Sequence, residues 1–192
     1  MKRRLLYACA LLCGALALYA ASQASAPHAL QSAAASASFP ATTTPDTYFV
    51  LKVVDGDTID VAMSTTTRLR LIGMDTPEVV DPRKPVQCFG KEASAEGHKL
   101  LENQWVRLEY DAVAGRTDKY GRALAYVFLL DGTLYNEFMI RQGFAHEYDY
   151  QNQKYTYRAR FQAAQTTARQ EQLGFWSPQT CDGNTTKPAG AS

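Results

Sequence analysis

The sequence has almost no net charge, with 20 Lys and Arg residues against 19 Asp and Glu residues in a chain of 192. This balance excludes a protein that coats nucleic acid with its whole surface, because such binding needs many cations to neutralise phosphates. Long apolar runs are also scarce. Only the stretch from Leu5 to Ala21 approaches the length of a membrane span, which excludes a polytopic membrane protein. Length and composition instead predict a single globular domain that holds any anionic ligand through a local cluster of cations.

Motifs for zinc, nucleotides and a nucleophilic serine are missing too. The three histidines are scattered, and outside the first 24 residues no His-Glu-x-x-His or Cys-x-x-Cys motif is present. The chain also has no Gly-x-Ser-x-Gly elbow, Walker loop or dinucleotide fingerprint. A metal in this protein would therefore depend on oxygen ligands, which favours Ca²⁺ or Mg²⁺ over zinc.

The N-terminus has the order of a secretory signal, in which Lys2, Arg3 and Arg4 precede an apolar run and then small residues suitable for cleavage. We predict a signal peptide over residues 1–24. Export would take the protein to the periplasm or the extracellular medium, with no stable membrane association after cleavage. The alternative is a leader that is retained as an N-terminal anchor.

The region after the leader changes composition twice. Residues 25–46 are mostly Ala, Ser, Thr and Pro with hardly a charge, and such a segment buries too little apolar surface to offset its ordering entropy. We predict a disordered tether there, a folded domain over residues 47–181, and a flexible polar tail over residues 182–192.

Two cysteines remain after the leader, Cys88 and Cys181, and an oxidising compartment favours their pairing. Their disulfide would close a loop of roughly 90 residues and contribute about 4 to 5 kcal/mol in the chain-entropy model. The alternative is two unrelated buried thiols. A small domain closed by a disulfide can stand alone, so we predict a monomer.

Short β-branched or alternating segments predict five strands, at residues 48–54, 58–64, 68–72, 105–110 and 123–130. Helical composition and spacing predict three helices, over residues 91–103, over residues 134–142, and along the apolar stripe of Tyr157, Phe161, Ala164 and Ala168. Five short strands with interleaved helices predict an α+β fold, a five-stranded OB-type Greek-key β-barrel with three α-helices.

The first polar cluster is Asp55-Gly56-Asp57-Thr58, between two predicted strands. Asp-Gly is a favoured hairpin turn, so a simple turn is one interpretation. The functional interpretation is that Asp57 carries a carboxylate to the start of the second strand, where a hard cation can bind it.

The second cluster is RLRLIGMDTPE at residues 68–78. Alternation places Arg68 and Arg70 on one face, which a half-solvated strand would explain by itself. The end of the segment is less ordinary, because Asp75 and Glu78 follow a glycine and flank a proline in one turn. This arrangement offers an oxygen for a metal, a carboxylate for proton abstraction and a guanidinium for a phosphate.

The third cluster is RTDKYGR at residues 116–122, which in isolation is typical of a solvated connection. Two tyrosines, Tyr148 and Tyr150, follow the second predicted helix. They either pack at the rim of the barrel, or they stack on or hydrogen-bond to a nucleotide.

Five segments in this order resemble the staphylococcal nuclease (thermonuclease) family: DGDT, RLRLIGMDTPE, FGKEA, RTDKYGRALAYV and NEFMIRQGFA. The resemblance covers residues 49–176, nearly all of the predicted folded domain. It implies an OB-type barrel with three helices and a calcium-dependent phosphodiesterase that cuts DNA and RNA and leaves 3′-phosphate ends.

Matching each motif position to the family assigns roles to nine residues. Asp57 and Asp75 resemble the carboxylate ligands of Ca²⁺, and Thr76 resembles the carbonyl ligand. Arg70 and Arg122 resemble the catalytic arginines, and Glu78 resembles the general base. Lys119 and Tyr120 match residues at the terminal phosphate of a bound nucleotide, and Tyr148 matches the aromatic residue beside the base. Two features depart from the family pattern: the loop at residues 112–115 is one residue longer, and the cysteine pair is absent from the prototype.

Two other functions compete with an enzyme. Nuclease-like barrels also occur as non-catalytic binding modules, but such modules lack the active residues that this chain retains. An oligosaccharide-binding barrel would expose aromatics without a carboxylate–arginine centre. Cleavage in the presence of calcium separates the enzyme from both.

Overall fold

A computed structural model of the protein describes residues 46–189. The predicted signal peptide, all but one residue of the predicted tether and the last three residues lie outside the described residues. Within them, no helix is both long and apolar enough to cross a membrane.

The described chain contains seven strands and three α-helices. The strands are β1 (Thr47–Asp55), β2 (Thr58–Ala62), β3 (Thr66–Leu71), β4 (Met74–Asp75), β5 (Trp105–Glu109), β6 (Ala123–Leu129) and β7 (His146–Glu147). The helices are α1 (Gly90–Leu101), α2 (Tyr135–Arg141) and α3 (Arg158–Gln170).

Five of the strands close a barrel in the order β1-β2-β3-β6-β5. Strands β3 and β6 pair in parallel, and the other neighbours in the barrel are antiparallel. Together with three helices, this closed barrel confirms the predicted α+β fold of OB type.

The alternating pattern of β3 decides which side chains enter the barrel. Leu69 and Leu71 are fully buried, whereas Arg68 and Arg70 lie on the opposite face. Because successive side chains of a strand point to opposite faces, the apolar residues of β3 place both arginines outside the core. The core itself is mostly aliphatic and also contains aromatic residues such as Tyr126 and Phe161, both without solvent exposure.

Two adjacent residues of α2 connect this helix to the barrel. Asn136 is completely buried, accepts a hydrogen bond from the Val127 amide (3.0 Å) and donates one to the Ile72 carbonyl (2.9 Å). The hydroxyl of Tyr135 donates to the Gly56 carbonyl at 2.8 Å. Helix α2 therefore fixes both the end of β3 and the turn between β1 and β2 from inside the molecule.

The short strands β4 and β7 form a separate two-stranded sheet that the sequence pattern does not predict. The chain reaches β4 through Gly73, whose φ of 75° lies in the left-handed region. A Cβ at Gly73 would lie 2.7 Å from Tyr155 and 2.8 Å from Phe161, so only glycine fits this bend. Two-residue strands have no periodicity, and they form here because the bend brings them together.

Cys88 and Cys181 form a disulfide, as the sequence predicts, with Cα atoms 5.9 Å apart and a sequence separation of 93. The chain after Cys181 returns to the segment that carries Cys88. The Cys88 amide donates to the Lys187 carbonyl at 2.8 Å, and the Ala189 amide donates to the Val86 carbonyl at 2.8 Å. The first residues of the predicted tail thus contact the folded domain as far as Ala189.

Replacing both cysteines with serine is expected to lower the free energy of unfolding by about 4 kcal/mol, because the unfolded chain regains the entropy of a long loop. Urea denaturation followed by circular dichroism measures this change. The wild-type protein with reduced cysteines is the control and should match Cys88→Ser/Cys181→Ser. An unchanged midpoint at equal slope would contradict the prediction.

Candidate active site

The turn between β1 and β2 is a close-packed hairpin. Its Asp57 amide donates to Asp55 Oδ1 at 3.1 Å, as expected of an Asp-Gly turn. A Cβ at Gly56 would lie 2.6 Å from the Thr76 methyl group and 3.2 Å from the Ala93 carbonyl oxygen. The absence of a side chain at Gly56 therefore lets the β1–β2 turn reach the segment that follows β4.

Asp57 and Thr76 meet at this contact. The Thr76 amide and hydroxyl both donate to Asp57 Oδ2, at 2.8 and 3.0 Å, and the Thr58 hydroxyl donates to Oδ1 at 2.9 Å. Both Asp57 and Thr76 are buried. The two interpretations of the Asp-Gly motif, a simple turn and a functional site, are therefore compatible. The hairpin turn places the Asp57 carboxylate at the candidate site.

Arg70 joins two carboxylates. Its Nη1 lies 3.0 Å from Asp57 Oδ2, its Nη2 donates to Asp75 Oδ1 at 2.7 Å, and Nη1 also donates to the Met74 carbonyl at 2.9 Å. Burial by itself would lower the pKa of Arg70, but the charges of Asp57 and Asp75 outweigh burial and raise it. The guanidinium is therefore held charged and in a fixed orientation.

Negative charge exceeds positive charge around Arg70. Burial, with the neighbouring charge of Asp57, raises the pKa of Asp55 to about 7. Burial and then the charge of Asp57 also raise the pKa of Asp75. Three carboxylates thus share one guanidinium, and a cation bound among them would relieve their repulsion.

The donor set suits a hard divalent cation. Among residues 46–189, no group of three or more His, Cys, Asp and Glu side chains is arranged as a metal site. Asp57 and Asp75 would contribute carboxylate oxygens, and the part of the Asp75 side chain that is open to solvent can reach an ion. Since Ca²⁺ takes six to eight oxygen ligands that include carbonyls and water, two carboxylates fit Ca²⁺ without a third acidic ligand.

Arg122 is fixed by Asp118, a residue to which the sequence analysis gives no role. Asp118 Oδ2 accepts from Arg122 Nε at 2.6 Å, and Oδ1 accepts from the amides of Tyr120 and Arg122 at 2.9 Å each. Asp118 thereby closes the loop into a turn and aims the guanidinium. An aspartate that accepts from amides two to four residues later is typical of a turn. The sequence around Asp118 is therefore sufficient to predict this role.

A cavity of about 380 Å³ brings most of the predicted residues together. We call it the active-site cavity, and its lining includes Arg70, Asp75, Lys119, Tyr120, Arg122 and Tyr148. Tyr150 also lines it, as one interpretation of the sequence allows, and the structure adds Gln153 and Tyr155. Two arginines from distant parts of the chain thus face one cleft beside a carboxylate.

The tyrosines at the rim are available to a ligand. Tyr120 is 72% exposed, and Tyr148 and Tyr150 are 44% and 43% exposed. Tyr148 is held by its amide, which donates to the Gly73 carbonyl at 3.1 Å, at the bend before β4. Since aromatic residues of this size are usually buried, three exposed rings around one cavity indicate a surface for stacking.

Three predicted site residues do not line the active-site cavity: Asp57, Thr76 and Glu78. The carboxylate of Glu78 is held within its own turn. Its Oε1 accepts hydrogen bonds from the amides of the next three residues, at 2.8 to 3.1 Å. Its charge adds to the rise in the pKa of Asp75, to which burial and then Asp57 contribute more. Gln87 fixes its backbone, accepting from the Glu78 amide at 2.7 Å and donating to the Glu78 carbonyl at 2.9 Å.

His146 supports the strand that carries Asp75. The two residues are partners in the β4–β7 pair. The ring of His146 lies 4.3 Å from that of Phe175 and 5.2 Å from that of Trp176, and Nε2 is 3.1 Å from the Thr185 hydroxyl. Burial, with a smaller contribution from a nearby arginine, lowers the pKa of His146 to about 4.

Protein stability is therefore expected to fall as the pH decreases from 6.5 towards 4. The unfolded chain takes up a proton on His146 near its ordinary pKa of 6.5, whereas the folded chain does so only near 4. The loss attributable to this residue is on the order of 2 to 3 kcal/mol.

Free energies of unfolding measured by urea denaturation across this pH range test the assignment. His146→Gln should flatten the dependence, and His98→Gln, which removes the partly exposed histidine of α1, is the control. An unchanged slope in His146→Gln, or the same change in both variants, would contradict it.

Comparison with known proteins identifies relatives of this chain. A family model described as staphylococcal nuclease homologue matches residues 68–178. The thermonuclease of Staphylococcus hyicus is 45% identical over 132 residues, which cover 68% of this chain and 76% of that protein. The thermonuclease of Staphylococcus intermedius is 46% identical over 133 residues, with the same two shares. Endonuclease YncB of Bacillus subtilis (strain 168) is 36% identical over 129 residues, covering 66% of this chain and 59% of its own length.

A closed barrel with an arginine–carboxylate cavity, together with these relatives, defines a phosphodiester hydrolase. The chain belongs to the staphylococcal nuclease family. The family resemblance carried by the five sequence motifs is thereby confirmed. The roles of the individual site residues stay predictions.

Proposed function

We propose that this protein is an exported, calcium-dependent nuclease that hydrolyses phosphodiester bonds of DNA and RNA and acts as a monomer. One observation supports this proposal above the others: Arg70 and Arg122 face the same cavity, and each is fixed by a carboxylate. A phosphodiester is anionic before it reacts, so neutralising and positioning it is the main task of the enzyme.

The two arginines bind the oxygens of the scissile phosphate. Each keeps N–H donors beyond those used in its ion pair, because a guanidinium has five. In the five-coordinate transition state the phosphate oxygens gain charge, and these donors stabilise that charge without moving. A donor of this kind typically contributes about 10² to 10³ in rate.

Glu78 is the proposed general base, which accepts a proton from the attacking water. Three backbone amides hold its Oε1, so that Oε2 is the oxygen left for the proton. Movement of the turn at residues 79–81 would bring this oxygen to the active-site cavity, and catalytic hydrogen bonds often tighten only when substrate is bound. The leaving group is the 5′ oxygen, and the products carry 3′-phosphates.

Asp57, Asp75 and the carbonyl of Thr76 would hold Ca²⁺. When bound, the ion supplies charge neutralisation and a site that orients water and a phosphate oxygen. Lys119 and Tyr120 bind the terminal phosphate of the nucleotide, and Tyr148 stacks beside its base.

Support for the reaction also comes from the relatives. Those described above are named thermonuclease or endonuclease. The family model matches residues 68–178, which contain the proposed site residues from Arg70 to Tyr148. Support for export comes from the signal-like order of the N-terminus and from the disulfide, since disulfides persist in oxidising compartments.

Incubating the full chain with single-stranded DNA and with RNA tests the proposal. We expect both to be cut when Ca²⁺ is present, to leave 3′-phosphate ends, and to remain intact when chelator exceeds the metal. Undiminished cleavage in excess chelator would contradict the calcium assignment. Binding of either polymer with no cleavage would indicate the non-catalytic module instead.

A further inference from the structure

A second cavity of about 680 Å³ lies beside the active-site cavity. Tyr120 and Arg122 line both. The rest of its lining is largely polar and includes Asp60, Thr66, Thr67, Arg68 and Thr117. We call it the threonine cavity. Its hydroxyls and two arginines suit an anion. The part of the lining formed by Arg68 and the threonines has no role assigned above.

The position of Arg68 relates this cavity to the scissile phosphate. Arg68 and Arg70 lie two residues apart on the same face of β3, which separates their backbones by about 6.6 Å. Neighbouring phosphates of an extended nucleic-acid strand are separated by a similar distance. A strand whose scissile phosphate lies on Arg70 and Arg122 would therefore bring its next phosphate to Arg68.

Arg68 is held in place and still has donors to offer. Its Nε and Nη2 bind Asp60 Oδ1 and Oδ2 at 2.8 and 2.9 Å, and the Arg68 side chain remains 51% exposed. This pairing raises the pKa of Arg68, chiefly through the hydrogen bonds. Three of its five N–H groups stay unused by Asp60, which pre-orients them for a phosphate.

We infer that the threonine cavity is a second phosphate subsite, which binds the backbone phosphate adjacent to the scissile one on an unpaired DNA or RNA strand. The inference rests on the proposed function, because the position of the scissile phosphate defines the neighbour. Arg68 supplies the charge, and the hydroxyls of Thr66 and Thr117 donate to the remaining oxygens. The subsite makes the enzyme prefer a polymer to a substrate with a single phosphodiester.

Arg68→Gln tests the subsite through substrate length. The probes are an oligothymidylate of about eight nucleotides and the dinucleotide thymidylyl-thymidine, which has one phosphodiester. For the oligomer we expect KM to rise about three- to tenfold with kcat unchanged, and for the dinucleotide less than about twofold. The salt dependence of oligomer binding should weaken by about one phosphate contact.

Two further variants separate phosphate binding from a structural ion pair. Arg160→Gln is the matched control, because Arg160 is a similarly exposed arginine paired with Glu137 on another face, and it should change neither KM. Asp60→Asn removes the competing negative charge, so it should tighten binding of the oligomer where Arg68→Gln weakens it. Weakening by both would mean that the pair only holds β2 to β3, and would overturn the inference.

Equilibrium binding keeps the test independent of catalysis. Dissociation constants for the oligomer, measured by fluorescence anisotropy in chelator, should rise in Arg68→Gln and not in Arg160→Gln. If the wild-type protein cuts neither probe, the proposed function fails, and these constants still decide whether the cavity binds phosphate. An equal rise of KM for oligomer and dinucleotide, or no rise for either, would overturn the subsite.

Discussion

Glu78→Gln is expected to lower kcat for DNA cleavage by about 10²- to 10⁴-fold while the fold and the binding of Ca²⁺ remain intact. Glutamine keeps an oxygen that can accept from the amides of residues 79–81, so the turn should persist. It lacks a basic carboxylate, so the proton of the attacking water has no acceptor. The defect should therefore appear in kcat rather than in KM.

Three measurements on the full chain check this expectation. Initial rates at saturating Ca²⁺ give kcat, calorimetric titration gives the affinity for Ca²⁺, and thermal denaturation reports the fold. Glu92→Gln, which neutralises an exposed glutamate in the first turn of α1, serves as the control and should cut at the wild-type rate. Turnover at the wild-type level in Glu78→Gln would remove this residue from the mechanism.

Arg122→Lys is expected to be nearly as harmful as Arg122→Ala, with a loss of about 10² to 10³ in kcat. Lysine cannot reproduce the planar fork that donates to two phosphate oxygens at once. The structure adds a second reason. Arg122 donates from Nε to Asp118 at 2.6 Å, which leaves its terminal nitrogens for the substrate. The single ammonium group of a lysine would pair with Asp118 instead.

The comparison requires both variants and a control. Single-turnover rates of Arg122→Lys and Arg122→Ala measure the chemical step, and Arg160→Lys controls for the replacement of an exposed, ion-paired arginine. If Arg122→Lys cuts as fast as the wild-type protein, a point charge is sufficient and the bidentate role is wrong.

The sequence predicts the barrel well because its strands carry their own signals. Apolar alternation in β3 and the β-branched run of β2 are local patterns, and the structure places both as expected. Strands β4 and β7 lack such a pattern, since each has two residues and depends on the bend at Gly73. Contacts between distant segments, such as those of Asn136 with Ile72 and Val127, are equally invisible to local reasoning.

The sequence motifs identify most of the residues that line the active-site cavity, but not how these residues are arranged. Arg70, Asp75 and Arg122 meet in one cavity, although a motif gives no distance between segments. The turned-away carboxylate of Glu78 was not predictable, because it depends on the backbone of residues 79–81. The raised pKa of Asp55 was not predictable either, because the burial of this turn residue depends on how the hairpin packs in the folded chain.

The covalent link between Cys88 and Cys181 spans all three helices and both later barrel strands. A protease that cuts one peptide bond inside this span leaves two pieces that remain tied to each other. The lengthened loop at residues 112–115 is an obvious target, since Val113 is 54% exposed. A nicked molecule would migrate as a single band until a reductant separates its two pieces, so a protease that cuts this chain once does not disperse it.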